Sequence, residues 1–149
     1  MKEKTVYLDV CALSRPFDDQ SYLRIRLETE AVNLILSNVK EGKYKLLYSP
    51  VHIKEIKDVA ETFERIELEA VLTKLGAMIT TKFAETRARA EELADLGFGI
   101  ADAAHVAFAE LAGASFVSCD DRLISKCNNH KVGVWCGNPA AYCEREGLK

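Results

Sequence analysis

The sequence predicts an α/β fold, a three-layer α/β/α sandwich around a central, mainly parallel sheet. Short apolar runs of strand length, such as Val6-Tyr7-Leu8 and Phe116-Val117-Ser118, alternate with segments of ten or more residues that repeat with helical period. Parallel neighbours need crossovers of that length, and right-handed helical crossovers cover both faces of a sheet. The chain of 149 residues, 48% hydrophobic, suits a single domain over residues 1–149, since a domain of about 150 residues buries roughly 68–70% of its unfolded surface.

The first strand, Val6-Tyr7-Leu8, is closed by Asp9 and followed by the polar, Pro-bearing loop Ser14-Arg15-Pro16-Phe17-Asp18-Asp19. Over 21–39 the residues Leu23, Leu27, Ala31, Leu34, Ile35 and Val39 recur at threes and fours before Gly42, predicting an amphipathic helix. A second strand spans 44–48. Ser49-Pro50 then offers an N-cap with Pro at the first helical position, opening a helix over 51–59. A further helix over 61–75 carries Phe63, Ile66, Leu68, Ala70, Val71 and Leu72, and Met78-Ile79-Thr80 reads as a short strand. The Ala-, Glu- and Arg-rich stretch 83–96 is helical, Gly97-Phe98-Gly99 breaks it, and Ile100-Ala101-Asp102 opens another helix to Leu111, ended by Gly113. Phe116-Val117-Ser118 is the third clear strand, 120–126 a short helix, Val132-Gly133-Val134 a late strand, and Asn138-Pro139 the start of a terminal helix.

Net charge is −3, from 20 Lys and Arg against 23 Asp and Glu, which argues against a broad basic nucleic-acid clamp. Binding assisted by metal at one place stays open. No stretch reaches the ~20 apolar residues of a membrane span, and the charged start Met1-Lys2-Glu3-Lys4 leaves no room for a signal peptide, so cytoplasmic residence is expected. The five cysteines include no C-x-x-C pair and read as free, mostly buried thiols. Cys127, His130, Cys136 and Cys143 are zinc-type ligands whose spacing matches no regular finger, and buried thiols are the simpler reading. G-x-G-x-x-G, P-loop and G-x-S-x-G motifs are all lacking.

The chemistry concentrates in four acids, Asp9, Glu55, Asp102 and Asp120, each just past an apolar run or near a helix start. Acids at the carboxyl ends of parallel strands converge on one crevice, and crowded carboxylates repel unless a hard cation sits among them. Asp9 stands in an otherwise apolar run, where an unpartnered charge would cost several kcal/mol; the plain alternative is a turn-forming aspartate. Asp102 could equally be a helix cap, but its neighbours Ala101, Ala103 and Ala104 leave the crevice uncrowded. Of Asp120 and Asp121, one is expected to cap the following helix and the other to act as a ligand, with Asp120, nearer the strand, favoured as the ligand. Glu55 taken alone would be a solvated helix charge, and only its company promotes it. An oxygen-only ligand set, Asp9, Asp102 and Asp120, suits Mg²⁺ or Mn²⁺, as one ion or two, and such ions promote attack of water on a phosphodiester. Arg15 and Arg122 could meet a substrate phosphate, with ordinary surface charge as the alternative. Ser118 could hold a metal-bound water. His105, one turn from Asp102, could face the site or be a hydrogen-bonded structural histidine.

With these residues laid out, the chain resembles the PIN-domain superfamily, most nearly the VapC-type toxin ribonucleases. The matching pieces are Val6-Tyr7-Leu8-Asp9, Ser49-Pro50-Val51-His52-Ile53-Lys54-Glu55, Ile100-Ala101-Asp102-Ala103-Ala104-His105-Val106-Ala107 and Val117-Ser118-Cys119-Asp120-Asp121. The resemblance implies a Mg²⁺- or Mn²⁺-dependent endonuclease acting on single-stranded RNA, with Asp9, Glu55, Asp102 and Asp120 as acidic-site residues, Ser118 as a neighbour, a homodimer, and silencing by a partner antitoxin. A different class of function is a PIN-like domain that binds RNA or protein without cutting. Four intact acids speak against it, because a site freed from catalysis has no physical need of repelling carboxylates. A phosphatase of the haloacid dehalogenase kind lacks support, since Asp9-Val10-Cys11 is not a paired D-x-D.

Overall fold

A computed structural model describes residues 4–149; residues 1–3, which include most of the charged start, lie outside the described residues. The described residues form a five-stranded sheet in the order β3-β2-β1-β4-β5, every neighbouring pair parallel. β1 (Thr5–Leu8) is the centre, flanked by β2 (Lys45–Tyr48) and β4 (Ser115–Val117), with β3 (Gly76–Met78) and β5 (Cys136–Gly137) at the edges. Helices fill the crossovers: α1 (Val10–Leu13), a 3₁₀ turn (Arg15–Phe17) and α2 (Leu23–Lys40) join β1 to β2, and α3 (Pro50–Lys57) and α4 (Thr62–Leu75) join β2 to β3. Then α5 (Phe83–Asp95) and α6 (Ile100–Ala112) carry the chain back across the sheet to β4, α7 (Asp121–Asn129) leads to β5, and α8 (Pro139–Glu146) closes the chain. Among the described residues no helix is long and apolar enough to cross a membrane.

The core lies on both sides of β1, because successive strand residues face opposite ways. Val6 and Leu8 join Ile35 of α2, Ile56 of α3, Leu72 of α4 and Tyr142 of α8 on one face. Tyr7 joins Phe116 of β4, Leu93 of α5, Val106 of α6 and Leu123 of α7 on the other. A strand covered twice carries no polar face, which is why Val6-Tyr7-Leu8 reads as a continuous apolar run. The three-layer prediction therefore holds, with a sheet that is parallel throughout.

Several boundaries differ from the sequence reading. The last strand is Cys136–Gly137, not 132–134. At 132–134 the chain is still turning off α7: Lys131 has a left-handed φ of 51°, Val132 N donates to Cys127 O, and Gly133 N donates to Glu110 Oε2 at 2.7 Å. β3 begins two residues earlier than expected, directly at the end of α4. The apolar stripe of α2 is also shorter than its periodicity suggests. Leu23 and Leu27 are exposed, and the buried surface of the first turns is Glu28, whose carboxylate is enclosed by arginines. On α4, Phe63 and Ile66 are likewise exposed, whereas Leu68 and Leu72 reach the core.

Gly137 shows how tightly the β5 edge is packed. A Cβ placed there would clash with the Trp135 ring, which packs beside Tyr142. Gly137→Ala is expected to destabilise the fold by about 1–3 kcal/mol, the usual cost of overpacking, read from the urea midpoint at unchanged m-value.

Candidate active site

Strand order reverses at β1: the first crossover leads to β2 on one side and the return from β3 leads to β4 on the other. In open parallel sheets the crevice beyond the carboxyl ends at such a point is where ligands bind. A pocket of about 450 Å³ opens there, walled by Asp9, Glu55, Asp102 and Asp120 together with Arg15, Cys11, Cys119 and His105.

Asp9 is the first residue past β1 and the N-cap of α1. Its backbone N donates to Val117 O, its Oδ1 accepts from Ala12 N at 3.0 Å and from the Cys11 thiol at 3.1 Å, and the residue is 4% exposed. Burial pushes its carboxyl above the usual range, against hydrogen bonds from Ser118, Cys11 and the Ala12 amide, which favour the charged form. The turn reading and the pocket reading of this residue are thus both realised. The same holds for Asp120, which caps α7 by accepting from Arg122 N and Leu123 N at Oδ1 while it walls the pocket. The expected division between the two aspartates does not hold: Asp120 is both cap and pocket wall, whereas Asp121 is neither cap nor wall of the acid pocket, and its two oxygens take the Arg24 guanidinium at 2.7 Å each.

Asp102 sits half-buried in the first turn of α6, whose N-cap is Gly99 with no side-chain cap, so the capping alternative is set aside. Its carboxyl is raised first by burial and then by the negative charges of Asp9 and Asp120. Glu55 comes from α3 and meets His105 Nε2 of α6 through Oε1. Ser118 is fully buried and does not line the pocket; its Oγ accepts from Asp120 N at 3.1 Å.

Arg15 stands on the pocket wall but is held by Asp18 at 3.0 Å and by Glu28 at 3.0 Å. The Arg122 side chain lines a shallow depression next door, with Tyr22 and Arg24, that shares Arg15, Cys119 and Asp120 with the acid pocket. The C-terminal cysteines do not assemble. Cys143 donates to Ala31 O in the core on the α2 side of the sheet, whereas Cys127 and Cys136 belong to the core on the α6 side and His130 packs against Phe98.

Among the described residues no three His, Cys, Asp or Glu side chains are gathered closely enough to hold a metal by themselves. The donor chemistry nonetheless fits a hard cation. Mg²⁺ is ordinarily held by one or two carboxylates with waters and substrate oxygens completing its shell, and Asp9 and Asp102 are carboxylates whose ionisation is opposed by burial and, at Asp102, by neighbouring negative charge. Sequence reasoning missed Tyr7, Ser49 and His52 as parts of the site's support. The signal available was two histidines in apolar surroundings, each three residues from a candidate acid, His52 from Glu55 and His105 from Asp102.

The fold is PIN-like, a five-stranded parallel sheet between helical layers, in agreement with the resemblance drawn from the sequence. No protein-family model matches the chain, and no curated protein matches it in sequence. Solved structures do match. FitAcB from Neisseria gonorrhoeae is 17% identical at a TM-score of 0.55, covering 90% of this chain and 97% of that one. FitAB bound to an IR36 DNA fragment is 16% identical at a TM-score of 0.57, covering 90% and 94%. PAE2754 from Pyrobaculum aerophilum is 17% identical at a TM-score of 0.55, covering 97% of both chains.

The raised Asp9 carboxyl makes the metal-free site a cost to the fold at neutral pH. The native state holds this proton more tightly than the unfolded chain does. The associated stability is therefore full below the ordinary aspartate range and lost as pH rises through the raised native value. Asp9→Asn, which keeps an oxygen for the Ala12 amide, should melt higher than wild type at pH 7 in EDTA, with the gap closing as pH falls towards the ordinary aspartate range. Thermal denaturation of both proteins across that pH interval checks it; a lower melting temperature for Asp9→Asn at pH 7 contradicts it.

Proposed function

We propose that this chain is a metal-dependent endoribonuclease that hydrolyses single-stranded RNA, and that it is the toxin of a type II toxin–antitoxin pair. The observation that carries the reading is the placing of Asp9, Glu55, Asp102 and Asp120 around one pocket at the reversal point of the sheet. The likeness to FitAcB, FitAB and PAE2754 supports it at the level of fold, and the FitAB neighbours are toxin–antitoxin proteins.

In this reading Asp9 and Asp102, with Asp120, would hold Mg²⁺ or Mn²⁺, waters and substrate oxygens completing its shell. When bound, the cation would shield the phosphodiester and make water a stronger nucleophile. Asp120 is fixed by the α7 backbone amides, and Asp9 by the Ala12 amide, so neither must reorganise when a substrate arrives. Glu55, at the pocket rim, accepts a proton from the attacking water. Arg122, in the adjoining depression, meets a phosphate flanking the cleaved bond, and Arg15, held in place by Glu28 and Asp18, adds positive charge at the pocket wall, which gives an otherwise acidic site a local attraction for a polyanion. A homodimer and an antitoxin partner complete the proposal.

The test is cleavage of a mixed-sequence, fluorophore-quencher single-stranded RNA with Mn²⁺, Mg²⁺ or EDTA. Wild type should cut only with metal, and Asp9→Asn should lose at least about 100-fold in rate, the scale on which removing one preorganised electrostatic group acts. Full cleavage by Asp9→Asn, or cleavage in EDTA, sinks the assignment. A folded wild type that binds the RNA with any of these metals and leaves it intact would make the chain a binding domain.

A further inference from the structure

Behind the acid pocket runs a continuous buried polar chain. Ser49 Oγ lies 2.7 Å from Tyr7 Oη, Tyr7 Oη lies 2.6 Å from His105 Nδ1, and His105 Nε2 meets Glu55 Oε1. Ser49, Tyr7 and His105 are each at most 2% exposed, so every donor and acceptor must be matched inside the protein. Ser49 Oγ already accepts from Val51 N at 3.3 Å.

One arrangement of protons satisfies the whole chain. Ser49 donates to Tyr7, Tyr7 donates to His105 Nδ1, and His105 donates from Nε2 to Glu55. If His105 instead carried its proton on Nδ1, Tyr7 would have to donate to Ser49, the Ser49 hydroxyl would lose its acceptor, and Nε2 would face a carboxylate with no hydrogen between them. The serine is itself fixed: Ser49 N donates to His52 Nδ1 at 3.1 Å, and His52 Nε2 donates to Leu8 O at 2.7 Å, one residue before Asp9.

We infer that His105 is a positioning residue whose Nε2–H, oriented by Tyr7 and Ser49, holds one oxygen of Glu55 so that the other is presented to the substrate pocket. The inference rests on the nuclease reading for its consequence in catalysis and on the hydrogen-bond geometry alone for its structural content. His105 touches no reacting atom in this scheme; it acts through Glu55.

Two isosteric replacements separate positioning from packing. Gln places an N–H near the position of histidine Nε2, whereas Asn reaches only as far as Nδ1. RNA cleavage with Mn²⁺ should fall about ten-fold or more in kcat for His105→Asn with KM changed less than about two-fold, and His105→Gln should regain most of it. Equal losses in the two variants would overturn the inference, because a merely structural histidine is indifferent to which nitrogen is kept. The second arm needs no activity. Long-range ¹H–¹⁵N NMR of the ¹⁵N-histidine-labelled full chain, with His105 assigned by its absence in His105→Gln, should show a neutral imidazole protonated at Nε2 at pH 7. An Nδ1–H tautomer or a cationic ring overturns the inference whether or not the protein cuts RNA. A wild type inert on RNA with an Nε2–H His105 refutes the nuclease and leaves the positioning geometry standing.

Discussion

Carboxylates that share a crevice repel one another, and this chain brings four of them to the carboxyl ends of neighbouring strands. Much of the surrounding structure is intelligible as the means of holding them there. A parallel sheet whose order reverses at β1 sends the residues after β1 and β4 into the same space, so the proximity of Asp9 and Asp120 is written into topology rather than into any contact between them. What remains is a cost of desolvation at Asp9 and Asp102, with mutual repulsion added at Asp102, and at Asp9 a backbone amide offsets part of it. Asp9 and Asp120 each sit at a helix N-terminus, where amide N–H groups have no intrahelical partner and a negative charge is welcome.

The support beneath the acids is polar where a core is ordinarily apolar. His52 stays neutral, its pKa lowered to about 3 chiefly by burial, and a neutral imidazole can bridge Ser49 N and Leu8 O with one acceptor and one donor. Tyr7 is held protonated by burial, so it too is available as a donor. The result ties the last residue of β1, the cap of α3 and the middle of α6 to one another. Those are the elements that deliver Asp9, Glu55 and Asp102. An apolar core of the same volume could pack as tightly, but it would not specify the orientation of a glutamate at the pocket rim.

The sequence made legible whatever is local. Strands ending in acids, the Gly97-Phe98-Gly99 break and the Ser49-Pro50 and Asn138-Pro139 helix starts all stand where pattern and turn chemistry put them. β5 was misplaced because two residues, Cys136 and Gly137, are too few for any periodicity, while Val132-Gly133-Val134 mimics a strand and is in fact the exit from a helix. The α2 stripe was overread because Leu23 and Leu27 share a face with Ala31, and nothing local reveals that Glu28 occupies the interior there instead. The relay behind the pocket was illegible for a different reason: its bonds join residues 42, 98 and 50 positions apart, and only the assembled sheet brings them together. The four acids could be named one by one, but the histidine that fixes one of them could not be told from a structural histidine.

Glu28 also explains why the pocket stays electrostatically unsatisfied from within. Arg15 stands on the pocket wall and could in principle fold onto Asp9 or Asp120, forming an internal ion pair that would remove the demand for an external cation. It does not, because the nearly buried Glu28 takes its Nε and a terminal nitrogen at 3.0 Å while Asp18 takes the other end. Arg24 spans Glu28 and the outward-facing Asp121, closing the arrangement on the far side. Removing one partner from a buried ion pair costs about 3–5 kcal/mol, so swinging Arg15 into the pocket would mean stripping Glu28 of charge it needs. A second set of acids thus restrains the arginines, and the first set is left with its negative charge facing outward into the cleft.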